Sequence, residues 1–354
     1  MHVLLFNLAT DADDTTLGFT HRWIAELAAR VDRVTVVTMR AGRVELPANV
    51  TVHSLGAEHG WSEARRALRF WRLTTGITVR DRPDVVFAHM QPLFAVMYAP
   101  LAKLFRVPVL LWYAHGSVTR TLRAANAVVD RAISSSPAGY RLPGPKLHIV
   151  GQGVDTARIS PVVDPPEGWR HTAVAIGRLS PVKFIDVALE AVALAATVAP
   201  ELKLALVGEP GLSDAEYVAG LHRRAEQPDL AGRVDFAGPV PFDQIGRAHR
   251  AGGIVLNLGT GNALDKSLLE AMLGGCIPVS TNEVFGRIAA EEGWDGLAAT
   301  HDAQAIADAL VHAVSLSGER RASITAGTRV VIEADHSLGR LMDLVVGHLR
   351  ALTS

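Results

Sequence analysis

Two cations and a glycine stand together in "GRLSPVK", Gly177 to Lys183, just after the apolar run "TAVAI". An arginine fork, a flexible ammonium and the free N–H groups of a helix start make a phosphate-binding arrangement. On spacing alone, Arg178 and Lys183 also read as solvated loop charges. A second group lies in "TGNALDKSLLEAMLGGCIPVS", residues 260–280. Asp265 stands where a helix begins and suits its positive end as a cap or first-turn charge. Lys266 either faces a diphosphate or is solvated. Glu270 lies a turn further in, beyond capping reach, beside Leu264, Leu268 and Met272. It points to solvent or into a cleft, where its two acceptor oxygens suit the vicinal hydroxyls of a ribose. Asn262 is a polar side chain just ahead of this helix.

Three more positions qualify. His115, in "WYAHGS", follows a buried strand at the carboxyl edge where open sheets bind ligands. Gly18, in "DADDTTLGFTHRW", opens a helix after the first strand, so Leu17 to Thr20 offer backbone donors to an anion or substrate. A lone glycine falls short of a dinucleotide fingerprint, which argues against a dehydrogenase. Asp13 and Asp14 are candidate bases, with solvation of the loop as the plainer use. There is no His-Glu-x-x-His, Gly-x-Ser-x-Gly or Walker sequence. Ser134 to Ser136 read as a turn, and Cys276, between Gly275 and Ile277, as a small buried hydrophobe.

These residues need a scaffold, and the chain is rich enough in apolar residues to build one. It has 354 residues, 49% hydrophobic and 20% charged, with a formal net charge of -1. That length favours two domains, and the charge makes no case for nucleic acid. One cysteine excludes an internal disulfide or a cysteine metal cluster and fits a reducing cytoplasm. The start, "MHVLLFNLAT", carries no basic leader, and Lys103, Arg106 and prolines break the longest apolar region, Pro92 to Ala114. No transmembrane segment is expected.

Short Val/Ile/Leu runs alternate with helical stretches in both halves, the pattern of parallel strands covered on both faces. The proline-rich "SPVVDPPEGWR", Ser160 to Arg170, reads as a linker. The expected organisation is a first doubly wound domain over 1–160, a second over 161–335, and a C-terminal helix over 336–354. A ligand cleft is expected between the two domains. A basic helix around Ala64 to Thr75 carries Arg65, Arg66, Arg69 and Arg72 beside Phe70 and Trp71. Contact with an anionic membrane is one reading. An ordinary surface helix whose arginines lie over its aromatics is preferred.

"AIGRLSPVKFIDVALEAVA", "LVGEP", "VDFAGPVP" and "LDKSLLEAMLGGCIPVST", in that order and spacing, resemble the second half of retaining family-4 glycosyltransferases. "DVVFAHM", "VPVLLWYAHG", "AISSSP" and "IVGQGVDTARI" fit the first half, so the resemblance covers nearly the whole chain. It implies the glycosyltransferase B fold, α/β with two Rossmann-like parallel-sheet domains facing across a cleft and a C-terminal helix returning to the first. It also implies transfer of a hexose-type sugar from a UDP- or GDP-linked donor with retained configuration. Neither metal nor cofactor is implied. By position, Arg178 and Lys183 would hold the donor diphosphate in place of a divalent cation. Glu270 would bind the ribose and Val240 would meet the base through its backbone. Gly177, Gly208, Leu264, Asp265 and Lys266 would share the donor surface. His115 would approach the transferred sugar or its phosphate, and Gly18 the donor phosphate and the acceptor side, with Asp13 and Asp14.

The resemblance breaks at one place. The family's Glu-seven residues-Glu motif has its first acid replaced by Asn262, in a Leu-Asp-Lys variant found in a bacterial subset. Asn262 still donates and accepts hydrogen bonds, but it brings no negative charge to an oxocarbenium-like transition state. Two alternatives share the fold: a nucleotide-sugar epimerase, and a catalytically silent nucleotide-sugar-binding scaffold subunit. The expected partners are the donor and a sugar, lipid-linked or small-molecule acceptor, in the cytoplasm.

Overall fold

The computed structural model describes residues 1–14, 17–211, 213–240, 244–259 and 264–353. The chain divides into two units: Met1–Gly153 with Leu338–Ser354, and Val154–Ser337. Both divides differ from those expected at 160 and 335. The proline-rich segment belongs to the second unit, because it is tied down rather than loose. Ile159 is buried in that unit's core, the Val162 N–H donates to Gly274 O at 2.9 Å, and Arg250 donates to the carbonyl of Val163.

Among the described residues the first unit holds a seven-stranded parallel sheet. Its strands are β1 (His2–Thr10), β2 (Arg33–Ala41), β3 (Val50–Ser54), β4 (Val85–His89), β5 (Val109–Trp112), β6 (Arg131–Ser134) and β7 (Leu147–Ile149). They run in the order β3-β2-β1-β4-β5-β6-β7. Helices α1 (Phe19–Ala28), α2 (Glu63–Arg80), α3 (Pro92–Phe105) and α4 (Arg120–Val128) are the crossovers. Side-chain alternation in β1 explains why one strand feeds two cores. Val3 and Leu5 join Trp23, Ile24 and Leu27 on one face, while Leu4 and Phe6 join Phe70, Phe94 and Tyr98 on the other.

The C-terminal helix, Leu338–Thr353, belongs to this unit. Leu338, Leu341, Met342, Val345, Val346 and Leu349 form a helical stripe, all buried in the same core as Trp23. Helix α2 runs from Glu63 to Arg80, further in both directions than the sequence suggests. The guanidinium of Arg65 lies 3.7 Å over the Trp61 ring, Arg69 Nε donates to Ser54 O at 2.6 Å, and Phe70 is fully buried. No helix among the described residues is long and apolar enough to cross a membrane.

Among the described residues the second unit holds a five-stranded parallel sheet: β8 (Thr172–Ile176), β9 (Lys203–Val207), β10 (Val234–Gly238), β11 (Ile254–Asn257) and β12 (Ile277–Ser280), in the order β10-β9-β8-β11-β12. Its helices are α5 (Ile185–Ala195), α6 (Ala215–Ala225), α7 (Ile245–Arg250), α8 (Lys266–Leu273), α9 (Glu283–Glu291), α10 (Ala303–Ser315) and α11 (Gly318–Asp335). Cys276 is fully buried, its thiol donating to Gly252 O at 3.3 Å, and burial pushes its pKa up to about 12. The strand order reverses between β8 and β11. Loops leaving their carboxyl ends part in opposite directions and leave a crevice, the usual ligand position in such sheets.

Candidate functional site

The crevice is shaped first by two glycines. Gly177 (φ 133) ends β8, and Gly208 (φ 155) ends β9. Gly177 N–H donates to Val207 O and Gly208 N–H to Gly238 O, both at 2.9 Å. A Cβ on Gly208 would lie 1.8 Å from the Gly177 carbonyl oxygen, so no other residue fits without moving the backbone. The chain then makes a 3-10 turn over Pro181–Lys183 and enters α5 through Phe184, which is left-handed at φ 52. The Phe184 ring packs on His301, with centroids 4.8 Å apart. This fixed turn aims Lys183 back across the strand ends.

Lys183 Nζ donates to Asp265 Oδ2 at 2.6 Å, and Asn257 Nδ2, from the end of β11, donates to the same oxygen at 3.0 Å. Burial raises the Asp265 pKa, but the charge of Lys183 and the two hydrogen bonds outweigh it and hold the carboxyl below its ordinary value. Arg178 is exposed and makes no ion pair among the described residues. Gly177, Arg178, Lys183, Leu256, Asn257 and Leu258 line one small pocket. The structure therefore brings Gly177, Arg178, Lys183, Gly208 and Asp265 together at the switch point.

Helix α8 carries the next pair. Lys266 opens it, and Glu270 lies one turn on with only 6% of its surface exposed. Burial raises the Glu270 pKa and lowers that of Lys266, while each charge opposes that shift in the other. Arg158 and Asp155 also act on Glu270, with opposite signs. Leu268, Leu269, Ala271, Met272 and Leu273 around it are all buried, so Glu270 does not face open solvent. Leu264 is buried ahead of this helix, and Val240 is half-buried against the same core. Asn262 lies outside the described residues.

In the first unit, His115 follows β5 and is exposed. Its N–H donates to Gly139 O at 2.9 Å and its Nδ1 accepts from Ser117 N–H at 3.2 Å, which leaves Nε2 as the protonated nitrogen when the ring is neutral. The loop at Gly18 differs from expectation. Leu17 N–H donates to the Asp14 carboxylate at 2.7 Å, Gly18 N–H to Asp14 O at 3.0 Å and Thr20 N–H to Leu17 O at 2.9 Å. These donors serve the turn itself, because Asp14 already supplies an anion at the start of α1. Asp14 also pairs with Arg40 and Asp13 with Arg43, and the hydrogen bond from Arg43 lowers the Asp13 pKa, making it a weaker base.

Sequence reasoning missed four contributors. Asn257 could have been noticed as the polar end of the otherwise apolar "GIVLN". Asp155 and Arg158 sit in "VDTARI" with no local pattern linking them to Glu270. His301 carries no signal at all. Its Nε2 lies 2.8 Å from Leu258 O and 2.8 Å from Thr281 Oγ1. A carbonyl only accepts, so Nε2 holds a proton there and ties the end of β11 to the turn after β12.

Residues 170–315 match the sequence profile described as Glycosyl transferases group 1. No curated protein matches the sequence. Among solved structures, the chain is similar to Anabaena Alr3699/HepE in complex with UDP, at 16% identity and TM-score 0.74, covering 99% of this chain and 100% of that one. It is likewise similar to sucrose-phosphate synthase from Thermosynechococcus elongatus, at 14% identity and TM-score 0.74, covering 99% of each chain. A UDP-forming trehalose-phosphate synthase from Burkholderia xenovorans matches at 13% identity and TM-score 0.71, covering 100% of this chain and 99% of that one. These likenesses show the glycosyltransferase B fold, and the matched domain supports a transferase.

Proposed function

We propose that this chain is a retaining glycosyltransferase that moves a hexose-type sugar from a UDP- or GDP-linked donor to an acceptor, without a metal ion. The observation that carries the reading is the cation group at the switch point. Arg178 and Lys183 stand at the carboxyl end of β8, and Lys266 stands at the positive end of α8. Fixed cations and a helix dipole stabilise the charge that develops on a departing diphosphate, the task a divalent ion performs elsewhere. Glu270, one turn along α8, supplies acceptor oxygens for the ribose, and Val240 offers its backbone to the base. HepE has been solved with UDP and with UDP-glucose, which supports a uridine donor here.

His115 is assigned to the transferred sugar or its phosphate, with Nε2 as its donor. Asn262 would grip the sugar hydroxyls by hydrogen bonding alone. In this mechanism the leaving phosphate takes the acceptor's proton, so no separate protein base is required. A single buried cysteine fits a cytoplasmic enzyme. The test is turnover of a panel of UDP-, GDP- and ADP-sugars, with and without excess EDTA. Transfer with retained anomeric configuration in EDTA is expected. Abolition by EDTA would refute the metal-free mechanism, and nucleotide binding without turnover on any acceptor would point to the silent scaffold.

A further inference from the structure

Asp265 occupies the capping position of α8 and does not cap. Its backbone is extended (φ -66, ψ 143), yet its carboxylate accepts nothing from the first-turn N–H groups of that helix. Aspartate is among the preferred residues for that task, so something else holds it away. Its Oδ2 takes Lys183 Nζ at 2.6 Å and the Asn257 amide at 3.0 Å. The Asp265 side chain is 35% exposed and that of Lys183 28%, so the pair borders solvent-reachable space. Arg178, exposed and lining one pocket with Lys183, has no such carboxylate among the described residues.

A carboxylate hydrogen-bonded to an ammonium offers it what a phosphate oxygen would offer: negative charge at the same distance. We propose that Asp265 is a built-in competitor for the donor diphosphate, holding Lys183 when no nucleotide is bound and reclaiming it as the nucleoside diphosphate leaves. This rests on the donor-site reading above. An arriving diphosphate must draw Lys183 from Asp265 and tolerate the carboxylate beside it. The nucleotide therefore binds more weakly than the cation set alone would allow, and it leaves faster. Asn257 keeps the carboxylate in place by donating to the oxygen that Lys183 also uses, while Ser280 Oγ lies 3.5 Å from the Asn257 carbonyl oxygen.

The test is calorimetric titration of wild type, Asp265→Asn and Asp265→Ser with UDP, GDP and ADP. Serine is a good helix cap and guards against an effect of lost helix stability. Both variants should bind the preferred nucleotide about tenfold more tightly, the scale of one charge-assisted hydrogen bond that no longer has to be broken on binding. Product inhibition of transfer should strengthen and kcat should fall as release slows. In a Lys183→Met background the same substitution should gain about twofold or less, since there is no ammonium left to compete for. Equal or weaker binding by both variants would overturn the proposal and leave Asp265 as a tether for Lys183. An undiminished gain in the Lys183→Met background would also overturn it, leaving plain charge repulsion. If wild type binds a nucleotide, these failures touch only the competitor role. If neither wild type nor Asp265→Asn binds any of the three, the donor-site reading falls and the proposal with it.

Discussion

At the scale of single residues, the site is made of groups whose meaning depends on one or two neighbours. Lys183 reads from the sequence as either a phosphate ligand or a solvated charge, and in the fold it is a buttressed ammonium, because Asp265 and the left-handed turn at Phe184 fix it. Lys183→Ala should lower donor affinity about tenfold to a hundredfold, the scale of one charge-assisted contact, with an unfolding midpoint close to wild type. Glu270→Ala should mainly raise the donor KM, and an unchanged KM would remove Glu270 from the nucleotide site. His301 is a positioning residue, acting through Leu258 O and the Phe184 ring. His301→Ala should lower kcat/KM about tenfold, and His301→Gln, which keeps an N–H for Leu258 O, should recover part of it. Equal loss in both variants would mean that the ring packing, not the hydrogen bond, matters.

Among the elements, β8, β11 and α8 present the residues of the proposed donor site, while the C-terminal helix carries a titratable contact of its own. His348 on that helix lies 4.8 Å, centroid to centroid, from His148 on β7, and Arg131 of β6 stands 3.0 Å from its Nδ1. Burial, His148 and Arg131 all lower the His348 pKa, to about 4. A folded pKa below the unfolded value means the unfolded chain binds the extra proton. The contribution is therefore complete above about pH 6.5 and is lost as pH falls toward 4. Amide protection factors in Leu338–Thr353, which discount the slowing of base-catalysed exchange in acid, should fall across that window, and His348→Leu should flatten the dependence. A profile unchanged by the substitution would place the acid sensitivity elsewhere.

For the molecule as a whole, each unit has its own core, and the chain returns to the first after completing the second. A ligand held by the second unit should stabilise that unit by mass action, about 2.7 kcal/mol at a hundred times Kd. Hydrogen exchange with saturating UDP should slow first in α5, α8 and the ends of β8 and β11. Protection confined to the first unit would contradict the assignment of Arg178, Lys183 and Glu270.

The fold was legible because apolar runs of strand length between amphipathic stretches leave few other architectures. The placement of Gly177, Arg178, Lys183 and Glu270 at a strand end and along the next helix was legible too, since a loop leaving a strand and a helix following it fix those positions. Burial strengthened the reading of Glu270, which sequence periodicity left divided between solvent and cleft. The closing of the Gly18 turn was not legible, because nothing in "DADDTTLGF" says that Asp14 will fold back onto the following N–H groups. The divide before Val154 was hidden because proline content marks a segment without regular structure, not one without contacts. By itself the sequence determined the order of the elements and which residues end them, for those follow from local periodicity and backbone preference. Only the tertiary structure decided that Asp265 serves Lys183 and not its own helix, and that Asn257 and His301 brace the site. Those pairings join residues far apart in the chain, where distance in sequence carries no information about distance in space.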